Sequence, residues 1–246
     1  MEPLSQEFLE QCPREKGFRM RGSEMTRIEV FVDAAFAFAV TILVISFDAI
    51  PRTFPEMVTA IKTIPAFVAA VAILIWIWHT HTLWCRRFGM DDGPTVWLSA
   101  LLLVVVLIYI YPMRIMLEGG FTWITNGYLP SSFEITSHDE LRLMFVFMGS
   151  AFVAVCLTLV LMYKYALWRG KLLALDHFER SDTLRVAWTW AGCLAIGIIQ
   201  IALALSLPDR WVQYSGLSLA LIGAWVPLVQ SRQFKDQPVE HGATDD

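Results

Sequence analysis

The stretch Met25–Pro51, MTRIEVFVDAAFAFAVTILVISFDAIP, limits what this chain can fold into more than any other. From Ile28 to Phe47 it is long enough to cross a bilayer as a helix, which takes roughly 20 mostly apolar residues. It nevertheless carries Asp33 well inside, with Arg27 at its head. An ionised carboxylate in hydrocarbon costs about 2.5–3.5 kcal/mol on insertion scales, so it turns toward protein or water and marks a functional position. Successive helical residues turn by about 100°. Phe31, Ala35, Phe38, Ile42 and Ile45 then share one narrow face, with Thr41 about 60° from Phe38 and Asp33 about 140° from it. An apolar stripe and a carboxylate point in different directions and must do different work.

The rest of the chain has the same character. Of 246 residues, 56% are hydrophobic and only 17% charged, at a mean hydropathy of +0.53, with the apolar residues gathered in long runs. That is a membrane composition. A net charge of −4 without a Lys/Arg run excludes nucleic acid as a partner. Cys12, Cys85, Cys156 and Cys193 have no metal or redox spacing, and the three in or beside apolar runs read as small buried thiols. The first apolar run is too long for a signal-peptide core and reads as a retained span.

In order, residues 1–24 predict a mostly flexible cytoplasmic arm, residues 25–230 a domain of six transmembrane helices, and residues 231–246 a polar, cytoplasmic tail. The second run covers about Ile64–Trp84, with Pro55 holding the preceding connection out of helix. The third is Thr95–Leu117, the fourth Leu141–Leu167, the fifth Thr183–Leu207 and the sixth Trp211–Val229. Gly119–Glu140 is the longest connection, and Trp168–Asp182 a charged one whose HFER reads as solvated surface. Lys and Arg concentrate on the arm, on Arg86–Arg87, on the fourth connection and on the tail, which places both termini in the cytoplasm of an inner-membrane protein. Gly216, Ala220 and Ala224, and likewise Ala187, Ala191 and Ala195, form small-residue stripes suited to close helix approach.

No enzyme motif is present: there is no GxSxG elbow, HExxH, Walker sequence or GxGxxG. His79 and His81 diverge by about 200° on a helix and do not share a metal. The expectation is a protein without catalytic residues, metal or cofactor. No TVGYG filter appears either, so a carbonyl-ring route for potassium is absent. Asp33 needs a hydrogen-bond donor, for which Trp78, His81 and Arg27 are the candidates.

Arg27-Ile-Glu-Val-Phe31-Val-Asp33 resembles the R-x-x-x-F-S-D signature that opens the first helix of the lysosomal potassium channel family, transmembrane protein 175, and its bacterial homologues. The small and apolar continuation, with Thr41 eight residues after Asp33, is similar too, and Trp78–His81 is similar to the family's W-x-x-H in the second helix. The resemblance implies an all-α subunit of six transmembrane helices, assembled as a homotetramer with the first helix of each subunit around the pore. By matching positions it implies Phe38 at a hydrophobic constriction, Ile42 and Ile45 as further apolar rings and Thr41 in cation preference. Arg27, Phe31, Asp33, Trp78 and His81 would form a polar network between the first two helices. Two departures stand out: Val32 replaces the signature Ser, and Phe38 is bulkier than the usual aliphatic residue.

The function expected is a potassium-permeable leak channel in a lipid bilayer, gated by dewetting of the apolar ring. The alternative is a proton-conducting channel or proton-coupled transporter that uses Asp33 with His79 and His81.

Overall fold

A computed structural model describes residues 4–45, 51–131 and 133–231. After a short helix, α1 (Gln6–Gln11), and a two-stranded hairpin, β1 (Arg14–Glu15) and β2 (Phe18–Arg19), every further element among the described residues is helical. The helices are α2 (Arg27–Ile45), α3 (Phe54–Phe88), α4 (Gly93–Ile124), α5 (His138–Trp168) and α6 (His177–Ser206). A 3-10 segment, Asp209–Ala220, then leads into α7 (Leu221–Ser231). Five of these stretches are long and apolar enough to cross a membrane: α3, α4, α5, α6 and the combined Asp209–Ser231. This is a multi-pass, all-helical membrane protein. The centre of the bundle is α5, packed on both α4 and α6, while α2 lies against α3 and α4.

The helices outrun the apolar stretches that announce them. α3 begins at Phe54, ten residues before Ile64, because Thr53 caps it by accepting from Glu56 N and Pro55 sits in the first turn. A proline there gives up an N–H that has no intrahelical partner anyway, so Pro55 starts the helix instead of blocking it. α4 runs to Ile124 and shortens the long connection to residues 125–137. α5 and α6 each open on a capping box, Ser137 with Glu140 and Asp176 with Glu179. The last span also departs from expectation, since its first half is wound as a 3-10 helix. At about 120° per residue, Gly216 and Ala220 no longer share a face, so the expected Gly216–Ala220–Ala224 stripe does not form. Gly216 instead lies against the Phe145 ring, where a Cβ would meet it at 2.9 Å.

The arm expected to be mostly flexible is docked. Lys16 and Gly17, both at positive φ (50° and 81°), turn the hairpin, as a two-residue β-turn between twisted strands requires. Phe18, Met20 and Arg21 are buried. Arg21 Nη2 reaches Glu179 Oε2 at 2.6 Å, and Arg21 Nε donates to the Leu173 carbonyl at 2.9 Å. Glu179 also accepts from Arg19 N at 2.9 Å. The chain then passes so close to the end of α3 that Gly22 N donates to Arg86 O at 2.9 Å, and a Cβ on Gly22 would stand 2.7 Å from the Cys85 carbonyl. Far from being solvated surface, HFER supplies the buried carboxylate that anchors the arm. The tail from residue 232 lies outside the described residues.

Candidate pore helix

α2 is built of small and aromatic residues in alternating blocks, and its two sides have different surroundings. Val32, Phe36, Ala39 and Leu43 are buried against α3 and α4. Val30, Phe31, Ala34, Ala37, Phe38, Thr41 and Val44 are exposed. At about 100° per residue these seven occupy one continuous arc of about 140°. Phe31 and Phe38 are each 60% exposed.

The sequence candidates fall differently around this arc. Phe38 and Thr41 lie on it, and the Thr41 hydroxyl donates to Ala37 O at 3.1 Å, within its own helix. Ile42 is half-buried at the arc's edge. Ile45 ends α2, and its side chain lies outside the described residues. Phe31 is on the arc and Arg27 is exposed at the head of the helix. Asp33 faces the seam with α3, where Trp78 Nε1 donates to its Oδ1 at 2.8 Å. His81 sits deeper on α3 and shares a 3.1 Å hydrogen bond with Ser99 of α4, with Cys85 Sγ 3.8 Å from its Nε2. The structure thus brings Asp33 and Trp78 together, gives His81 a different partner, and turns Arg27 and Phe31 outward.

Two anchors of α2 were not singled out from sequence. At its head, the buried Glu29 accepts from the hydroxyl of Thr26 at 2.9 Å, closing the first turn. At its other end, Arg114 of α4 is buried, bonds Glu118 at 2.9 Å and donates to the Leu43 carbonyl at 3.3 Å. Its i, i+4 spacing to Glu118 was the available signal that the two pair inside the protein. Beside the Asp33–Trp78 bond, a groove of about 240 Å³ opens between α2 and α3, lined by Phe36, Ala37, Val40, Leu74 and Ile75.

The family model of the endosomal/lysosomal potassium channel TMEM175 matches residues 27–109, which run from the head of α2 into α4. A protein of Marivirga tractuosa named "Potassium channel" is 33% identical over 220 residues, covering 86% of this chain and 87% of its own. The chain belongs to the TMEM175 potassium-channel family. The crystal structure of a threonine-to-alanine variant of the potassium channel MtTMEM175, in complex with a nanobody–MBP fusion protein, superposes with a TM-score of 0.76 at 28% identity. That match covers 91% of this chain and 99% of the other. TMEM175 proteins are ion channels, so this chain is a channel-family member and not an enzyme.

Proposed function

We infer that this TMEM175 protein is a potassium-permeable leak channel, built as a homotetramer with α2 of each subunit around the axis. The observation that carries the reading is the exposed arc of α2, on which two phenylalanines and a threonine are left uncovered by the other described residues. Relatives named as potassium channels supply the ion. At about 1.5 Å per residue, the 19 residues of α2 extend roughly 28 Å, close to the hydrocarbon thickness, so α2 serves as the sixth span.

In a ring of four, Phe38 forms the constriction, Ile42 and Ile45 give further apolar rings, and Thr41 tunes cation preference. Apolar rings of this kind gate by dewetting, because water leaves a narrow greasy pore and a small widening readmits it. The Asp33–Trp78 bond keeps the charge off the axis and holds α2 in register on α3. Arg27 and Phe31, exposed on α2, make their contacts in the assembly, and His81 keeps its bond to Ser99 inside the subunit. Both termini face the cytoplasm of an inner membrane, in line with the Lys/Arg excess at the arm end. Asp33 and His81 are divided between Trp78 and Ser99, an arrangement that does not favour a proton relay.

The test is potassium flux into liposomes carrying the purified protein, wild type beside Phe38→Ala. Potassium-driven flux that rises in the variant supports the gate. Flux that ignores potassium and follows a proton gradient in both proteins overturns the reading.

A further inference from the structure

A cavity of about 370 Å³ lies at the arm end of the bundle and shares no lining residue with the α2–α3 groove. Its walls come mainly from α3, α6 and the docked arm, with Tyr163 of α5 and Gln230 of α7. Between Trp76 and Arg87 the α3 wall climbs about 16 Å at 1.5 Å per residue, from inside a membrane span to the membrane edge. The deep end is aromatic, where Trp76 and Trp190 stack with centroids 4.6 Å apart and planes at 26°, and Leu83 and Val186 continue the apolar wall toward the mouth. The shallow end is charged, with Lys16, Arg86, Arg87 and Arg185 set against the two carboxylates of Glu15 and Asp182.

The four cations are not all committed. Arg87 Nη1 and Arg185 Nη1 both bond Asp182, at 2.7 and 3.1 Å. Arg87 is nevertheless a buried side chain whose Nε has no hydrogen-bond partner among the described residues. A buried donor left in that state costs free energy that a ligand oxygen would recover. Arg86 holds Glu15 only at 3.8 Å, with both side chains more than half exposed. Such an exposed pair contributes little and gives way readily to a stronger anion. Exposed Trp168, at the arm-end terminus of α5, marks the interfacial level at which the lip of the cavity lies.

We propose that this cavity is a binding site for an anionic phospholipid, its phosphate held at the lip by Lys16, Arg86 and Arg87 and an acyl chain laid against the Trp76–Trp190 pair. Basic pockets between membrane helices suit such headgroups, and the guanidinium fork suits a phosphate. The apolar floor decides between a lipid and a free phosphate, because a soluble anion gains nothing from stacked indoles. The site is separate from the α2 arc and does not rest on the conduction reading.

The experiment is native mass spectrometry of the full-length protein, stripped of lipid in detergent and titrated with phosphatidylglycerol, phosphatidylcholine or inorganic phosphate. Two variants accompany the wild type: the double substitution Lys16→Gln with Arg86→Gln, which spares the buried ion pairs, and Leu83→Trp, which blocks the apolar wall between the lip and the Trp76–Trp190 floor. The wild type should retain phosphatidylglycerol in preference to phosphatidylcholine. The lip variant should weaken that binding on the order of tenfold and abolish the preference. Leu83→Trp should lose the lipid while its thermal unfolding stays close to wild type. Equal retention of both lipids with no response to either variant would mean ordinary lipid coating and overturn the site. Binding of inorganic phosphate that Leu83→Trp leaves intact would overturn the lipid and leave a soluble anion in its place.

Discussion

Phe18 and Phe38 stand twenty residues apart and have opposite surroundings. Phe18 belongs to a charged, polar segment, yet it is 1% exposed, edge-on to Phe88 at 5.8 Å and beneath the Arg87 guanidinium at 4.5 Å. Phe38 belongs to the most apolar kind of segment in the chain and is 60% exposed. In a soluble domain the assignments would be reversed. Here lipid or a neighbouring subunit can cover an apolar helix face, so hydrophobicity alone does not predict burial within one subunit. Charged segments at the membrane edge must be organised by the subunit itself, through ion pairs and the few aromatic rings those segments carry. What is buried in this subunit reports folding, and what is left bare reports assembly.

The largest effect expected from breaking this contrast is at Phe18. Phe18→Ala opens a cavity beneath Arg87 and beside Phe88, and should cost about 3–5 kcal/mol of stability. Thermal unfolding in detergent checks it, with proteolysis of the arm as a second readout. A melting point unchanged from wild type would show that the arm docks without depending on its ring.

The arm was also where the sequence was least legible. Its anchors join residues far apart in the chain, Arg21 to Glu179 and Arg87 to Asp182. No local pattern distinguishes Glu179 in HFER from a solvated glutamate until the helix that carries it is laid beside the arm. The spans were legible because each is declared by its own run of apolar residues, and lipid demands the same length from every one. Their ends were not, since caps such as Thr53 and Ser137 extend helices beyond the hydrocarbon. Asp33 was half legible. Burial within a span required a donor, and the indole of Trp78 was among the few within reach, whereas the outward turn of Arg27 depends on packing that the motif does not encode.

Trp78→Phe tests the seam between α2 and α3 with a smaller expected effect. It keeps an aromatic ring and removes one donor to a half-buried carboxylate, at a cost of about 1.5–3 kcal/mol. The combination of Trp78→Phe with Asp33→Asn should cost less than the sum of the two, because each removes the same bond. Strict additivity in that cycle would mean that the 2.8 Å contact contributes nothing.

Asp92 offers a carboxylate at the arm end to set beside Asp33. It caps α4 by accepting from Thr95, and it also accepts from the Tyr165 hydroxyl and, at 2.7 Å, from Arg169. Burial alone would raise its pKa, but these hydrogen bonds outweigh it and hold the group at about 2, below the ordinary 3.8. A carboxyl lowered in the folded state adds stability that is fully present above the unfolded value and fades as pH falls through the folded one. The melting-point gap between wild type and Asp92→Asn should therefore be widest above about pH 5 and close as pH drops toward about 2. A gap that stays constant across that range would mean that the ionised form is not what the cap uses.

The smallest effect on stability is expected where the ring is largest and barest. Phe38→Ala removes as much side chain as Phe18→Ala, yet in the subunit it vacates no packed space, and its cost should stay within about 0.5 kcal/mol. The comparison with Phe18 controls for side-chain chemistry, so the difference between the two variants measures surroundings alone. If Phe38 lines an axial pore, the tetramer survives the substitution and conduction changes while the melting point does not. A large loss of stability, or a shift from tetramer to monomer on size exclusion, would place Phe38 in a packed contact between subunits. The bare arc of α2 would then be an assembly seam, and the constriction would have to be sought elsewhere along the helix.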